Sequence, residues 1–410
     1  MRFALRVARF LAPLALVFAA SQLALWKAGE GRGLASVRTT ERRALAEGED
    51  TLFARALVAE QMRRYKALEL RARRPRIAVL GSSTSMQLRD FHFGLGGDRA
   101  HGFADGGFYN AGGLVQHTGD FEPVAALLDE IGSVRVVVLA LDPWWFNDGW
   151  APSRSIEPLA RTLATSDFDA DWDARIRAYP ALVEALARRG GAAKLRALVA
   201  ADDRVEVASG RAVRAIGLAA RGGVGFRGSD GSRRNASFLA RRAAGAPYAD
   251  DEETLERIAR RERRFETGAL SARRVARLDA WLAWAHARDV VLAGFAVPLA
   301  GPVRDAIAAS PPHAAYFAAW RAAMRDAFAR AGQPFVDAVE AFGDEGHDDG
   351  WMINGFHGSE RTMAHVVGAL LRDERFARAV PEASAAQVAC LVAQARERGL
   401  AEGPGACAGP

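Results

Sequence analysis

The chain has little cysteine. Its 410 residues include only Cys390 and Cys407, and neither lies near a pair of histidines at metal-ligand spacing. A zinc site built on cysteine is therefore not expected, and no metal or other cofactor is predicted. The two thiols either pair, if the C-terminal tail lies outside the cytoplasm, or stay free in a frayed tail.

Lysine is also scarce, since it occurs only at Lys27, Lys66 and Lys194. Arginine therefore carries nearly all of the positive charge, and 55 basic residues against 49 acidic ones give a formal charge of +6. No stretch interleaves basic and aromatic residues, which argues against a nucleic-acid partner.

Long hydrophobic runs are absent except at the N-terminus. One apolar run extends from Phe10 to Trp26, directly after three arginines. The positive-inside rule keeps these arginines in the cytoplasm and exports the rest of the chain. Ala19-Ala-Ser21 offers a cleavage site, but the length of the run and Trp26 as an interfacial anchor favour an uncleaved helix. We therefore predict a single-pass protein of the cell membrane with its main domain on the periplasmic or extracytoplasmic side.

The rest of the chain alternates short apolar runs with helical patterns, which predicts an α/β fold with a doubly wound parallel sheet. The predicted organisation is a signal anchor over 1–29, a helical stalk over 30–75, the α/β domain over 76–149 and 266–380, a mostly helical insertion over 150–265, and a tail over 381–410. The insertion is either a lid over the strand ends or a helical decoration without substrate contact.

A candidate nucleophile follows the first predicted strand of the α/β domain. The apolar run from Ile77 to Leu80 continues into Gly81, Ser82 and Ser83, a pattern typical of a buried parallel strand that ends in a tight turn. Ligands bind at the carboxyl ends of the strands in open α/β sheets, so Ser83 is the candidate nucleophile. The alternative role for a serine here is that of a helix N-cap.

A serine nucleophile needs a base within hydrogen-bond reach, and histidine is the usual one. Among the eight histidines, His357 lies in a loop just before the last helix of the α/β domain. Such a late loop can return to the first strand, whereas a solvated loop histidine is the ordinary alternative.

Four segments, in this order, resemble the four blocks of the SGNH (GDSL-like) hydrolases, and the resemblance covers residues 76–375 apart from the insertion. They are Gly81-Ser-Ser83, Asn110-Ala-Gly-Gly113, Leu139-Ala-Leu-Asp142 and Asn354-Gly-Phe-His357. The resemblance implies a flavodoxin-like three-layer sandwich, Ser83 as nucleophile and His357 as base. It also implies that the amides of Ser83 and of Gly112 or Gly113 bind the oxyanion.

The chain departs from the SGNH pattern at three positions. Asp142 stands where the family has an oxyanion-binding asparagine, Asn354 stands where it has the acid that orients the histidine, and Ser82 replaces an aspartate. Asp142 is either a structural residue at the strand end or a partner of the Ser83–His357 pair. Asp348, Asp349 or a backbone carbonyl is an alternative orienting group for the histidine.

The subtype that the chain most resembles comprises membrane-anchored proteins of acyl transfer or removal on cell-wall polysaccharides and exopolysaccharides. The leading hypothesis is therefore a serine esterase or O-acyltransferase that acts on a polysaccharide or another acylated carbohydrate. Trp144 and Trp145 are either a platform for sugar stacking or a hydrophobic plug. The alternatives are a catalytically degenerate SGNH-like module that binds polysaccharide or scaffolds an envelope complex, and, more distantly, a metal-dependent hydrolase that uses His347, Asp348, Asp349 and His357.

Overall fold

The computed structural model describes residues 2–57, 61–95, 107–152, 158–166, 203–206, 212–235, 251–339 and 351–398, with isolated positions at 172, 176, 179–180, 184, 193 and 407. About half of the predicted insertion lies outside these residues. The same holds for His347, Asp348 and Asp349, on which the metal-dependent alternative depends.

The helices of the described residues are named here in chain order. They are α1 (Arg2–Lys27), α2 (Leu34–Ala46), α3 (Met62–Arg73), α4 (Phe121–Ile131), α5 (Leu159–Ala164), α6 (Leu218–Arg221), α7 (Asp251–Arg260), α8 (Ala272–Ala287), α9 (Gly301–Ala309), α10 (Pro311–Arg330), α11 (Glu360–Leu370), α12 (Glu374–Ala379) and α13 (Ala385–Arg398).

The strands are named in the same way. They are β1 (Thr51–Phe53), β2 (Ile77–Leu80), β3 (Phe108–Asn110), β4 (Val136–Leu141), β5 (Arg204–Glu206), β6 (Ala212–Ile216), β7 (Val224–Arg227), β8 (Arg233–Asn235), β9 (Val291–Ala296), β10 (Phe335–Asp337), β11 (Met352–Asn354) and β12 (His357–Gly358).

The chain forms two compact units that do not follow the predicted boundaries. One unit contains residues 1–61 and 165–228, and the other contains residues 62–164 and 229–410. The predicted stalk and the predicted insertion are therefore each divided between the two units.

The first unit holds the apolar N-terminal helix and a small sheet. Within α1, the 23 residues Leu5–Lys27 have a mean hydropathy of 1.6 and are long and apolar enough to cross a membrane. In the sheet, β1 pairs with β6 in parallel and with β7 antiparallel, and β5 pairs with β6 antiparallel. The prediction of a helical segment over 30–75 missed β1, whose three residues are too few to show a strand pattern.

The second unit is built on a five-stranded sheet in the order β10-β9-β4-β2-β3, in which every neighbouring pair is parallel. Numbered along the chain, its strands stand in the order 2-1-3-4-5. This confirms the predicted α/β fold with a parallel sheet. All six residues of β4 and of β9 are buried, as expected of strands that are covered on both faces.

Alternate residues of the central strands pack into two separate apolar clusters, one on each face of the sheet. One cluster contains Ala78, Leu80, Val137, Leu139 and Leu141 with the aromatic rings of Phe121, Trp145, Trp281 and Trp320. The other contains Ile77, Val79, Val136, Val138 and Ala140 with Phe93, Met363 and Val367. The sheet therefore has a hydrophobic core on both sides.

Helix α3, predicted as part of an amphipathic stalk, is instead buried in the second unit. The Lys66 ammonium is fully buried and donates hydrogen bonds to the carbonyl oxygens of Asn110, at 2.8 Å, and Gly231. Arg73 and Glu69 form a buried ion pair at 2.9 Å on the same helix. The stalk interpretation of this helix is therefore wrong, because these charged side chains are paired inside the protein.

Cys390, in α13, is bonded to Cys407, with a Cα–Cα distance of 5.6 Å. The structure thus contains the paired alternative for the two cysteines. Disulfides persist in oxidising compartments and are rare in the cytosol.

Candidate active site

The turn after β2 carries the candidate nucleophile. Gly81 has φ +140°, and a Cβ there would lie 2.9 Å from Cβ of Ala140, so the predicted requirement for glycine is met. Ser83 begins a 3₁₀ turn that ends at Ser85. The N-cap of this turn is Ser82, whose hydroxyl accepts a hydrogen bond from the Thr84 amide at 3.3 Å. The capping role therefore belongs to Ser82, and the Ser83 hydroxyl is left for another partner.

That partner is His357, which lies 274 residues further along the chain. A short antiparallel hairpin of β11 and β12 pairs Asn354 with His357. The hairpin brings Nε2 of His357 to 2.7 Å from the Ser83 hydroxyl oxygen. The structure thus brings together the predicted nucleophile and the predicted base within hydrogen-bond distance.

Asn354 orients the histidine from the other side. Its side-chain oxygen Oδ1 lies 2.8 Å from His357 Nδ1, and it accepts hydrogen bonds from the amides of Phe356 at 3.2 Å and His357 at 3.1 Å. Because both backbone donors require an acceptor, the oxygen of the Asn354 amide, and not its nitrogen, faces the imidazole. Nδ1 then carries the proton and Nε2 is free to accept the Ser83 proton.

Burial of the imidazole, together with the smaller effect of the positive charges of Arg264 and Arg233, lowers the pKa of His357 to about 3. The ring is therefore neutral at pH 7, which is the protonation state that a general base requires.

Two of the three predicted oxyanion donors are already used within the protein. The Gly112 amide donates to Asn110 Oδ1 at 2.7 Å, and the Gly113 amide donates to the carbonyl oxygens of Gly81 at 2.8 Å and Ser82 at 3.1 Å. The Ser83 amide has no acceptor among the described residues. Of the three predicted donors, the Ser83 amide is therefore the one that remains available for an oxyanion.

Asp142 directly follows β4 and lies beside the nucleophile turn. One carboxylate oxygen accepts a hydrogen bond from the Thr84 hydroxyl at 2.8 Å, and the other is buried without a partner among the described residues. Neither oxygen is hydrogen-bonded to Ser83 or His357, so Asp142 holds the turn and does not directly contact the pair. Burial raises the pKa of Asp142 to about 6, and the nearby hydroxyl groups of Ser82 and Thr84 and the charge of Arg264 act in the opposite direction.

We expect the effect of Asp142→Asn on the free energy of unfolding to be more stabilising at pH 8 than at pH 4. Because the pKa of Asp142 is higher in the folded than in the unfolded state, the protonated acid stabilises the folded protein fully below the unfolded-state pKa near 4. This contribution is lost as the pH rises through the folded-state pKa of about 6. Asparagine does not titrate, so the wild-type-minus-variant difference in unfolding free energy should change by about 2–3 kcal/mol between these pH values. Urea denaturation at both pH values measures it, and a difference that does not change with pH would contradict the raised pKa.

The aromatic residues after Asp142 are buried. Trp145 is fully buried and its ring contacts Phe121 edge-on at 6.2 Å between centroids. Trp144 is 2% exposed and its ring contacts that of Phe356 edge-on at 5.6 Å. The interpretation of Trp144 and Trp145 as a sugar-stacking platform is therefore wrong for these placements, since neither ring offers a face to a ligand, and the hydrophobic plug is the correct alternative.

Two arginines near the pair were not predicted. The Arg264 guanidinium lies 5.0 Å from the ring centroid of Trp144 and 5.4 Å from that of Phe356, and Arg233 begins β8. Both are close enough to lower the pKa of His357. In a chain this rich in arginine no local pattern distinguishes these two, so the sequence carried no signal for them.

Comparison with known proteins gives no match to a protein-family model, to a curated protein or to a solved structure. The site is therefore interpreted from its own geometry.

Proposed function

We propose that the protein is a membrane-anchored, extracytoplasmic SGNH-like serine esterase or O-acyltransferase that acts on ester groups of a cell-envelope polysaccharide or exopolysaccharide. The observation that carries the proposal is the relay from Ser83 Oγ to His357 Nε2 at 2.7 Å and from Nδ1 to Asn354 at 2.8 Å. Serine activated by an oriented histidine is the arrangement used for acyl transfer.

In the proposed reaction the Ser83 oxygen attacks the carbonyl carbon of the ester while its proton passes to His357 Nε2. The Ser83 amide donates to the oxyanion of the tetrahedral intermediate. Collapse of the intermediate breaks the bond to the alcohol, which leaves with the proton from Nε2, and the acyl group remains on Ser83. Water or a sugar hydroxyl then attacks, gives its proton to Nε2, and releases the acid or the newly acylated sugar while Ser83 regains its proton.

Further features support parts of the proposal. The strand order 2-1-3-4-5 is that of flavodoxin-like sheets, with ligand sites at the carboxyl ends of the strands. The apolar N-terminal helix supports a membrane anchor, and the disulfide supports an oxidising location for the C-terminal region. The polysaccharide substrate is supported only by the resemblance to the SGNH subtype.

The experiment is covalent labelling of the full-length protein in detergent with a fluorophosphonate, which reacts with activated serines. We expect one adduct, located by peptide mass spectrometry on Ser83. The adduct should disappear in Ser83→Ala, weaken strongly in His357→Ala, and persist in Ser85→Ala, whose lost hydroxyl belongs to the same turn. Equal labelling of all four proteins would contradict the proposal.

The second candidate is a catalytically degenerate module that binds polysaccharide or scaffolds an envelope complex. It is favoured by the two glycine amides that are already hydrogen-bonded and by the carboxylate of Asp142 at the position of an oxyanion donor. Polysaccharide binding by a protein whose Ser83 is not labelled would support this candidate.

A further inference from the structure

We propose that the substrate of the Ser83–His357 site carries a carboxylate, and that Arg264 and Arg233 bind it. The proposal rests on the proposed function and adds a chemical class of substrate to it. Both arginines lie beside the candidate dyad. Within the described residues, their side chains have no hydrogen-bonded or ionic partner.

The side chain of Arg264 is partly buried and unpaired within the described residues. Its backbone amide donates to Glu266 at 2.8 Å, whereas its guanidinium has no hydrogen bond and no carboxylate within 4.0 Å in the described part of the chain. Burial lowers its pKa, and the charges of Asp142 and Glu266 act on it in the opposite direction without contact. A guanidinium carries five donors, so that of Arg264 can bind an acceptor of the substrate.

The position of Arg264 is fixed by its surroundings. Its guanidinium lies over the rings of Trp144, at 5.0 Å, and Phe356, at 5.4 Å, and Phe356 is adjacent to the catalytic histidine in the chain. The residue has φ +89°, a left-handed backbone conformation that is uncommon for a non-glycine residue. An arginine held in this way beside a reactive pair is suited to binding rather than to surface solvation.

Arg233 provides a second positive charge near His357. Its backbone amide donates to the Met86 carbonyl at 2.9 Å, just after the nucleophile turn, and its side chain is only partly exposed. Its charge lowers the pKa of His357, as that of Arg264 does. Within the described residues its guanidinium likewise has no hydrogen bond or ion pair.

A carboxylate is the acceptor that fits an arginine fork, because its two oxygens accept two parallel hydrogen bonds. The group can belong to the acyl part of the ester, as in a half-ester of a dicarboxylic acid, or to the alcohol part, as in an acylated acidic sugar. Both sources present the same chemistry to Arg264 and Arg233, and the assay separates them.

The test measures kcat/KM of the full-length protein in detergent for two matched pairs of esters. For the alcohol side, 4-acetoxybenzoate is compared with its methyl ester. For the acyl side, 4-nitrophenyl hydrogen succinate is compared with 4-nitrophenyl butyrate. The readout is the ratio of kcat/KM for the charged ester to kcat/KM for the neutral ester. A general loss of activity affects both values equally and leaves this ratio unchanged.

We expect Arg264→Gln to lower this ratio by about 10–100-fold in one of the pairs, the size of a lost hydrogen bond to a charged group. The pair that responds identifies the source of the carboxylate. Arg233→Gln should lower the ratio in the same pair, and Arg264→Lys should restore part of it. The neighbouring Arg263→Gln is the matched control, because the side chain of Arg263 is 70% exposed, and it should leave the ratio unchanged. An unchanged ratio in both Arg264→Gln and Arg233→Gln would overturn the inference, as would equal losses for charged and neutral esters.

A binding measurement separates failure of this inference from failure of the proposed function. Calorimetry with 4-hydroxybenzoate and succinate as probes is done on Ser83→Ala with and without Arg264→Gln. Hydrolysis that does not depend on Ser83, with binding that depends on Arg264, would refute the esterase and retain the carboxylate site. If hydrolysis depends on Ser83 but both probes bind equally well with and without Arg264→Gln, the carboxylate site is refuted and the esterase is retained.

Discussion

Ser83→Ala is expected to lower kcat for ester hydrolysis by about 10³-fold or more. Removal of the hydroxyl removes the group that would form the acyl-enzyme, and loss of the nucleophile in serine hydrolases costs factors of this size or larger. The measurement is steady-state hydrolysis of 4-nitrophenyl acetate by the full-length protein in detergent.

The matched control for this prediction is Ser85→Ala. The Ser85 hydroxyl belongs to the same turn and donates to the Ser82 carbonyl oxygen at 3.0 Å, so its loss perturbs the turn without removing the nucleophile. A Ser83→Ala protein that retains activity within twofold of the wild type would show that hydrolysis does not pass through this serine. The double variant Ser83→Ala/His357→Ala should have the same kcat as Ser83→Ala, because the effects of substituting two residues that act as a unit do not add.

Asn354→Ala is expected to lower kcat by about 10²–10⁴-fold while leaving KM within a few-fold. Asn354 Oδ1 accepts three hydrogen bonds, one of which holds the proton on His357 Nδ1. Without that acceptor the imidazole can rotate or take the other tautomer, and the wrong tautomer costs about 10⁴ in a serine protease. The measurement is kcat and KM for the same ester.

Asn354→Asp is the informative partner of Asn354→Ala. A carboxylate keeps all three acceptor contacts and adds a negative charge that favours the imidazolium formed during the reaction, so we expect kcat to rise about tenfold. The same charge should raise the pKa of His357, and the acidic limb of the kcat/KM profile should move to higher pH. An Asn354→Asp protein as impaired as Asn354→Ala would show that the amide does not act as the orienting acceptor.

The proximity of Ser83 and His357 could be predicted because it follows from topology. Ser83 follows a predicted strand, His357 lies in a loop that can return to that strand, and parallel strands present their carboxyl ends at one edge of the sheet. Gly81 and the buried strand before it were also predictable, because an apolar run that meets Gly-Ser-Ser has few other interpretations.

The remaining features depend on tertiary contacts that no local pattern encodes. The Asn110 side chain accepts from the Gly112 amide, and this contact occupies a donor that the resemblance assigned to the oxyanion. Helix α3 has charged residues on its inward face, and the carbonyl oxygens of Asn110 and Gly231, which accept hydrogen bonds from the buried Lys66, lie far from it in the sequence. Trp144 and Trp145 follow a strand end in sequence but pack into the core.

The covalent link between Cys390 and Cys407 determines how the protein should be produced for these experiments. Expression in a reducing cytoplasm would leave both thiols unpaired and would remove the covalent link between α13 and Cys407. A secretion host, or a cytoplasm engineered to oxidise thiols, is therefore the appropriate source of material, and reductant should be left out of every purification buffer.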